Sequence, residues 1–390
     1  MPLYKNPDFL QPPPGLARIF GDDRLQSFFA LPQWYDLMAR FGVEAGTEIR
    51  VYTEERPNSS AAVLLTAIGQ QPISLLSLAN FYSVEHGPIS AATTALDRAL
   101  GAIVAEILAD RPRWDCIRLL ELDPSEESYY ALVHAMRRAG LLVECTAGAG
   151  TWFETTGGMS FKDYLAERPS QLLSTWRRKR RSLAATGRLS AAFFSERDGI
   201  DTAISDYQSV YAASWKIPEA FPHFMPELIR LAAGIGALRM GIYYIDCLPA
   251  AAQFWILWRG RAVIYKLAHD SRFDKLSLGT LLTMEMVERV LEQDRPEEIN
   301  FGRGDDPYKR LWLPQHRQRW GITAANPRTM RGLRLGLERE AAKLYHRMRG
   351  ERVTPQAASI SQRFTVSRPE LPRVAGREMQ TFRAAGARSI

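Results

Sequence analysis

The segment from Ile264 to Trp312 holds the residues best suited to chemistry. It reads Ile264-Tyr265-Lys266-Leu267-Ala268-His269-Asp270, then Leu276-Ser277-Leu278-Gly279-Thr280-Leu281-Leu282, then Asn300-Phe301-Gly302-Arg303-Gly304-Asp305-Asp306-Pro307-Tyr308-Lys309. A strand ends, a polar loop follows, and a helix opens at Ser277-Leu278-Gly279. The unpaired N–H groups of a first helical turn and the helix dipole favour an anion, so a phosphate is the expected guest. Gly279 lets the backbone approach closely, and Ser277 can cap the helix or bond the phosphate; any capped helix shows the same Ser-x-Gly. Asp306 before Pro307 suits an N-cap with proline at N1, whereas Asp305 is not explained by capping. Lys266 stands in an otherwise apolar strand, so it points into a cleft or pairs with a carboxylate. Arg303, between two glycines, can grip an anionic substrate group or form a surface ion pair. Tyr308 can pack its ring on the core. His269 is the one histidine near the loop.

Other chemistries find little support. The chain has no Gly-x-Ser-x-Gly elbow, Walker loop, His-Glu-x-x-His or paired His–Cys arrangement. The six histidines are dispersed, so no metal is expected. Cys116, Cys145 and Cys247 are odd in number and widely spaced, which predicts buried, reduced thiols and a cytoplasmic setting. Tryptophans 215, 255, 258, 312 and 320 crowd the second half, as core, cleft wall or a stacking surface for sugar.

Two runs of elements must position these residues. In the first half, strands are expected over 47–53, 61–67, 72–79, 116–122 and 142–146, and helices over 89–109 and 125–139. Helices over 160–167 and 170–186 follow. The second carries Arg177, Arg178, Lys179, Arg180 and Arg181 in one run, which circles the helix and so reads as a solvated face, with Trp176 and Leu183 as its buried contacts. The second half predicts a strand 189–194, helices 202–214 and 224–235, and a meander of strands 238–245, 250–258 and 262–268 on tight turns. A helix 278–293, a strand 298–301, a short helix 307–313 and a strand 319–323 complete it. Both halves share the order meander, helix, strand, helix, strand, as two diverged copies of one fold.

That order resembles the acyl-CoA-dependent N-acetyltransferase (GNAT) superfamily. More closely, Trp215-Lys216, Ala251-Ala252-Gln253, Tyr265-Lys266, Ser277-x-Gly279-x-x-Leu282 and Phe301-Gly302-Arg303-Gly304-Asp305-Asp306-x-Tyr308-Lys309 resemble the CelD/BcsL acetyltransferases associated with bacterial cellulose biosynthesis. The tandem organisation also resembles the Fem-type peptidoglycan aminoacyltransferases. The detailed likeness covers roughly residues 150–330. It implies an α/β (α+β) fold of two tandem GNAT-like domains with mixed, mainly antiparallel sheets flanked by helices. The pattern along the chain sets the expected limits: an extended lead-in 1–24, a non-catalytic N-terminal domain 25–153, a helical connector 154–190, a catalytic domain 191–325, a basic amphipathic helix 326–350 and a disordered tail 351–390. Acetyl-CoA or another acyl-CoA would be co-substrate, with pantetheine along Leu267 and Ala268 and pyrophosphate on the amides of Ser277, Gly279, Thr280 and Leu281. The acyl carbonyl would lie between Leu267 and Phe301. The resemblance makes Asp305 or His269 the base and Tyr308 the acid, while Lys266, Arg303, Asp306 and Trp215 contact the acceptor. Asp274 stands where most of the superfamily has Gln or Arg. The implied acceptor is an amine or hydroxyl on a small molecule or glycan precursor. The rivals are a Fem-like enzyme using aminoacyl-tRNA and a non-catalytic module docking to a membrane synthase.

The formal charge of +7 sits at one end. Residues 326–390 hold 14 Arg and Lys against 5 Glu, leaving 36 basic and 38 acidic residues elsewhere. A near-neutral body argues against specific nucleic-acid binding. In the tail, Met330, Leu333, Leu337, Ala341, Leu344 and Met348 recur at helical spacing among arginines. Such a helix packs its stripe on the body or lies on an anionic membrane surface. No apolar run reaches the ~18 residues of a spanning helix, and the first residues do not read as a secretory signal.

Overall fold

A computed structural model describes residues 3–21, 27–55, 61–68, 73–90 and 95–348. The first half runs β1 (Leu3–Lys5), α1 (Pro14–Phe20), α2 (Pro32–Phe41), β2 (Glu48–Glu54), β3 (Ala61–Ile68), β4 (Ser74–Ser77), β5 (Ile89–Ser90), α3 (Leu96–Ala109), β6 (Cys116–Leu122), α4 (Glu127–Arg138) and β7 (Leu142–Thr155). The second continues with α5 (Phe161–Ala166), α6 (Ser170–Ala184), β8 (Leu189–Phe194), α7 (Ile200–Ala212), α8 (Phe224–Gly234), β9 (Leu238–Ile245), β10 (Leu248–Trp258), β11 (Arg261–His269), α9 (Leu278–Arg289), β12 (Glu298–Asn300), β13 (Gln315–Ala325) and α10 (Met330–Met348).

Local rules account for many of these limits. Pro14 and Pro32 open their helices, where a missing N–H costs nothing. Ser160 and Asp163 form a reciprocal capping box on α5. The β9–β10 turn places Asp246 and Cys247 at positive φ, and β10–β11 does the same with Arg259 and Gly260, the geometry that suits the twist of a tight hairpin.

The strands form one mixed sheet in the order β1-β2-β3-β4-β6-β13-β7-β12-β11-β10-β9-β8, with β5 on β3. Each half supplies a strand to the other. β13, from the second half, lies between β6 and β7, while β7, from the first, lies between β12 and β13. Contacts accordingly hold the described residues as one unit. Alternating side chains face opposite layers. Phe254 and Ile256 join a core built with α1, α2, α7 and α8. Trp255 points the other way, to α5, α6 and α9. The first half closes its second face with α3 and α4.

Several expectations need correction. The lead-in is not merely extended: β1 pairs with β2, and Phe9, Leu16 and Ile19 are buried in the shared core. Ile89 and Ser90 are strand, and the helix begins at Leu96. Strands β7 and β13 run well beyond 142–146 and 319–323, because they pair with each other across an irregularity at Gly148 and on through Gly150 and Gln318, where apolar alternation fails. Cys145 is only half-buried, and Cys247 is exposed in its hairpin turn.

The tail helix is the largest reversal. α10 docks through Gly332 and Gly336, not through its apolar stripe. A Cβ on Gly332 would collide with the carbonyls of Asn326 and Asp115, and one on Gly336 with Leu142. Met330 (84% exposed) and Leu337 (58%) face outward, while Arg339 bonds Glu144 of β7. Residues 351–390 lie outside the described residues.

Candidate active site

β11 carries the site. It pairs with β10 along its length but with β12 only from Arg261 to Val263. Opposite Phe254 and Trp255 the register skips Tyr265, so β11 bulges where it parts from β12. From Ile264 onward its outer peptide groups have no strand neighbour among the described residues. Beyond Asn300 the chain turns at Gly302 and Gly304, both at positive φ. A side chain at Gly302 would crowd the Ile264 carbonyl.

A cavity of about 220 Å³ fills this divergence. Ile264, Tyr265, Lys266 and Leu267 form one wall and Phe301, Arg303, Asp306, Tyr308 and Lys309 the other. Lys216 closes it from the stretch after α7. Phe81, Tyr82 and Val84 complete it from the first half, on the segment that leaves β4. Tyr265 Oη donates to the Tyr82 carbonyl (2.6 Å), which pins that segment to the bulge.

Of the candidates, the structure gathers Lys266, Leu267, Arg303, Asp306 and Tyr308 around the cavity. Lys266 both faces it and pairs with Glu219 (2.7 Å), which also accepts from Tyr82 Oη (2.8 Å). Arg303 donates to the buried Glu121 of β6 (2.7 Å). Burial raises the Glu121 carboxyl above its ordinary range against the pull of Arg303. Asp306 occupies the N-cap position without capping; its carboxylate lies 3.1 Å from Lys309 Nζ. Burial lowers the Lys309 ammonium. Tyr308 remains 44% exposed overall, but protein crowds its hydroxyl. Burial there, followed by the Asp306 charge, pushes it up to about 12.

Asp305 points away from the cavity. It accepts from the Gly150 amide (2.9 Å) and contacts His316 Nε2 (2.6 Å), and only glycine at position 150 leaves room for them. His269 is the last residue of β11, 3.0 Å from Asp274, with its ring 4.6 Å from exposed Trp215. None of these lines the cavity. Asp274 thus has a histidine partner.

α9 begins at the far end of β11. Ser277 is left-handed and does not cap with its side chain. Its amide bonds Asp274 O, and the Leu281 amide bonds Ser277 O. The amides of Leu278, Gly279 and Thr280 lie between, ahead of the first intrahelical bond. Leu281 and Ala268 bury their side chains. The buried Gln253 fixes this turn to β10, donating to Gly279 O (3.2 Å) and Thr283 Oγ1 (2.6 Å). Lys179 of α6 reaches the Lys275 carbonyl in the adjoining loop. Sequence reasoning did not single out Phe81, Tyr82, Glu121 or Glu219, which lie remote in the chain and carry no motif. Among the described residues, no group of three or more His, Cys, Asp or Glu could hold a metal ion.

A cleft between diverging parallel strands, beside an open helix N-terminus, within a large mixed sheet flanked by helices, defines a GNAT-type α/β fold. Residues 170–310, from α6 through the Asp305–Lys309 turn, match the family described as an acetyltransferase (GNAT) domain. The fold is similar to FemX at a TM-score of 0.54 and 11% identity, over 83% of this chain and 97% of that one. It is also similar to a tandem GNAT protein from the clavulanic acid biosynthesis pathway (TM-score 0.43, 15% identity, 76% and 94% covered). L-PGS from Bacillus licheniformis scores 0.48 at 10% identity, with 82% and 92% covered. The comparison with curated protein sequences finds no match.

Proposed function

We propose that the chain moves an acyl group, acetyl in the simplest case, from an acyl-CoA to an amine or hydroxyl of a small-molecule or glycan-precursor acceptor. The observation that carries this reading is the cavity at the β11–β12 divergence, on the same strand that leads to the open amides of α9. Pantetheine extends along the unpaired edge of β11, and pyrophosphate rests on the Leu278, Gly279 and Thr280 amides. The acceptor's nucleophile attacks the thioester carbonyl, a new N–C or O–C bond forms, and the C–S bond breaks. Asp306, which faces the cavity where Asp305 does not, receives the acceptor's proton; Tyr308 gives its own to the departing thiolate.

Calorimetric titration with acetyl-CoA tests the donor. Micromolar binding in the wild type and its loss in Gly279→Glu are expected, since a carboxylate would occupy the pyrophosphate position. A Cβ at Gly279 meets only the His269 ring, at 3.4 Å, so the variant should fold. Equal affinity in both proteins overturns the assignment.

One observation favours a second donor. The run Arg177–Arg181 is exposed apart from the half-buried Lys179, and it adjoins the loop before α9. Such a face suits an aminoacyl-tRNA, and failure of acetyl-CoA to bind at millimolar concentration would shift the reading there.

A further inference from the structure

We infer that the cavity takes an acceptor bearing an anionic group, a carboxylate or phosphate, held by the ammonium of Lys216. The inference rests on the acyl-transfer reading only in calling that ligand the acceptor.

The charges around the cavity do not balance. Four cations face it: Lys216, Lys266, Arg303 and Lys309. Three have local partners. Lys266 has Glu219 and Arg303 has Glu121. Lys309 donates to the carbonyls of Arg303 (2.9 Å) and Gly304 (3.2 Å) and lies beside Asp306, so its three N–H groups are occupied. Lys216 has no ion pair among the described residues. Its ammonium sits over the rings of Tyr211 (5.7 Å) and Trp215 (5.9 Å), which give a cation partial compensation only. The charged groups acting on it are Lys266 and Lys309 of like sign, and Glu219 and Asp306 of opposite sign. They number two of each sign, so no carboxylate is left over to balance Lys216.

A buried, unpaired ammonium is held at a cost. Burial first, then its lysine neighbours, lower Lys216 to about 8. A bound anion would supply the missing partner. Phe81, Val84, Phe301 and the Tyr308 ring would cover the remainder of the ligand, so the fitting molecule joins one negative group to an apolar or planar body.

Three probes of similar shape test this on the full-length protein: phenylacetate, phenyl phosphate and phenylacetamide, followed by calorimetry. One or both anions should bind at least about tenfold more tightly than the neutral amide, as a charge-assisted contact requires. The tighter anion identifies carboxylate or phosphate as the natural group. Lys216→Met should reduce that preference to within about twofold. Phenylacetate, ionised throughout, should weaken as pH rises through about 8, because Lys216 then loses the charge that holds it. Equal affinity for charged and neutral probes, or no change in phenylacetate affinity between about pH 6.5 and 9.5, overturns the inference. These two measurements need no variant, so they hold even if the substitution disturbs folding. Acetyl-CoA binding is read in a separate titration, so failure of the donor assignment leaves this result intact.

Discussion

Tyr308 holds its proton throughout the neutral range, because burial and the nearby Asp306 charge place its hydroxyl near 12. That suits an acid which must give up a proton only when a thiolate forms beside it. Tyr308→Phe should lower kcat by about a hundredfold, within the usual range for general acid catalysis, and change KM by less than about threefold. A fall in affinity with kcat preserved would assign the ring to binding alone. Any alkaline loss of kcat carried by Tyr308 belongs near 12, so a limb well below that reports another group. At this scale the sequence was a partial guide. The motif after β12 pointed to a turn that borders the cavity, but adjacent carboxylates in a tight loop face opposite ways: Asp306 meets the cavity and Asp305 meets His316. The type and spacing of residues do not reveal that division. Nor could they pair Lys266 with Glu219 or Arg303 with Glu121, since both partners are fixed by tertiary packing.

Among the elements, strands and helices with regular periodicity were legible; those sustained by neighbours were not. β8, β9 and β6 fall where their apolar runs place them, whereas β7 from Ala147 to Thr151 reads as small and polar residues and is strand because β13 pairs with it. α10 shows the same limit from the other side. Its apolar spacing suggested the buried stripe, yet glycines make the close approach, since only their missing side chains admit the Asn326 and Asp115 carbonyls. Met330 and Leu337 are thereby left outward among arginines, and we propose an anionic lipid surface as the contact of this face. Changing Met330 and Leu337 to Glu should reduce sedimentation with phosphatidylglycerol vesicles at least tenfold relative to wild type, about 1.4 kcal/mol. Equal sedimentation of both would show that this face is not the contact. Among the described residues, no helix is long and apolar enough to cross a membrane.

For the whole molecule, the two halves are not separable bodies. β7 and β13 cross between them, and a charge network spans the same seam: Arg319 of β13 bonds Glu85 (2.8 Å) and Asp123 (2.6 Å) of the first half, as Arg303 bonds Glu121. A fragment beginning after Thr155 would leave β12 and β13 without the strand between them, exposing unpaired edges that invite association. It should fail to give a monomer with native circular dichroism, whereas co-expression with residues 1–155 should restore one. A monomeric, folded second half on its own would contradict the exchange. The full chain should unfold in a single transition by both fluorescence and circular dichroism.

The position of β13 also governs the order in which the chain can be finished during synthesis. β6 ends at Leu122, but the strand that belongs against it ends at Ala325. At ~5–20 residues per second, roughly 10–40 s separate their emergence from the ribosome. Throughout that interval the first half has its meander and helices but an open place in its sheet, between β6 and β7. The N-terminal half is therefore completed last, by the final described strand, and a nascent chain interrupted before that point carries a long unpaired edge for chaperones to cover.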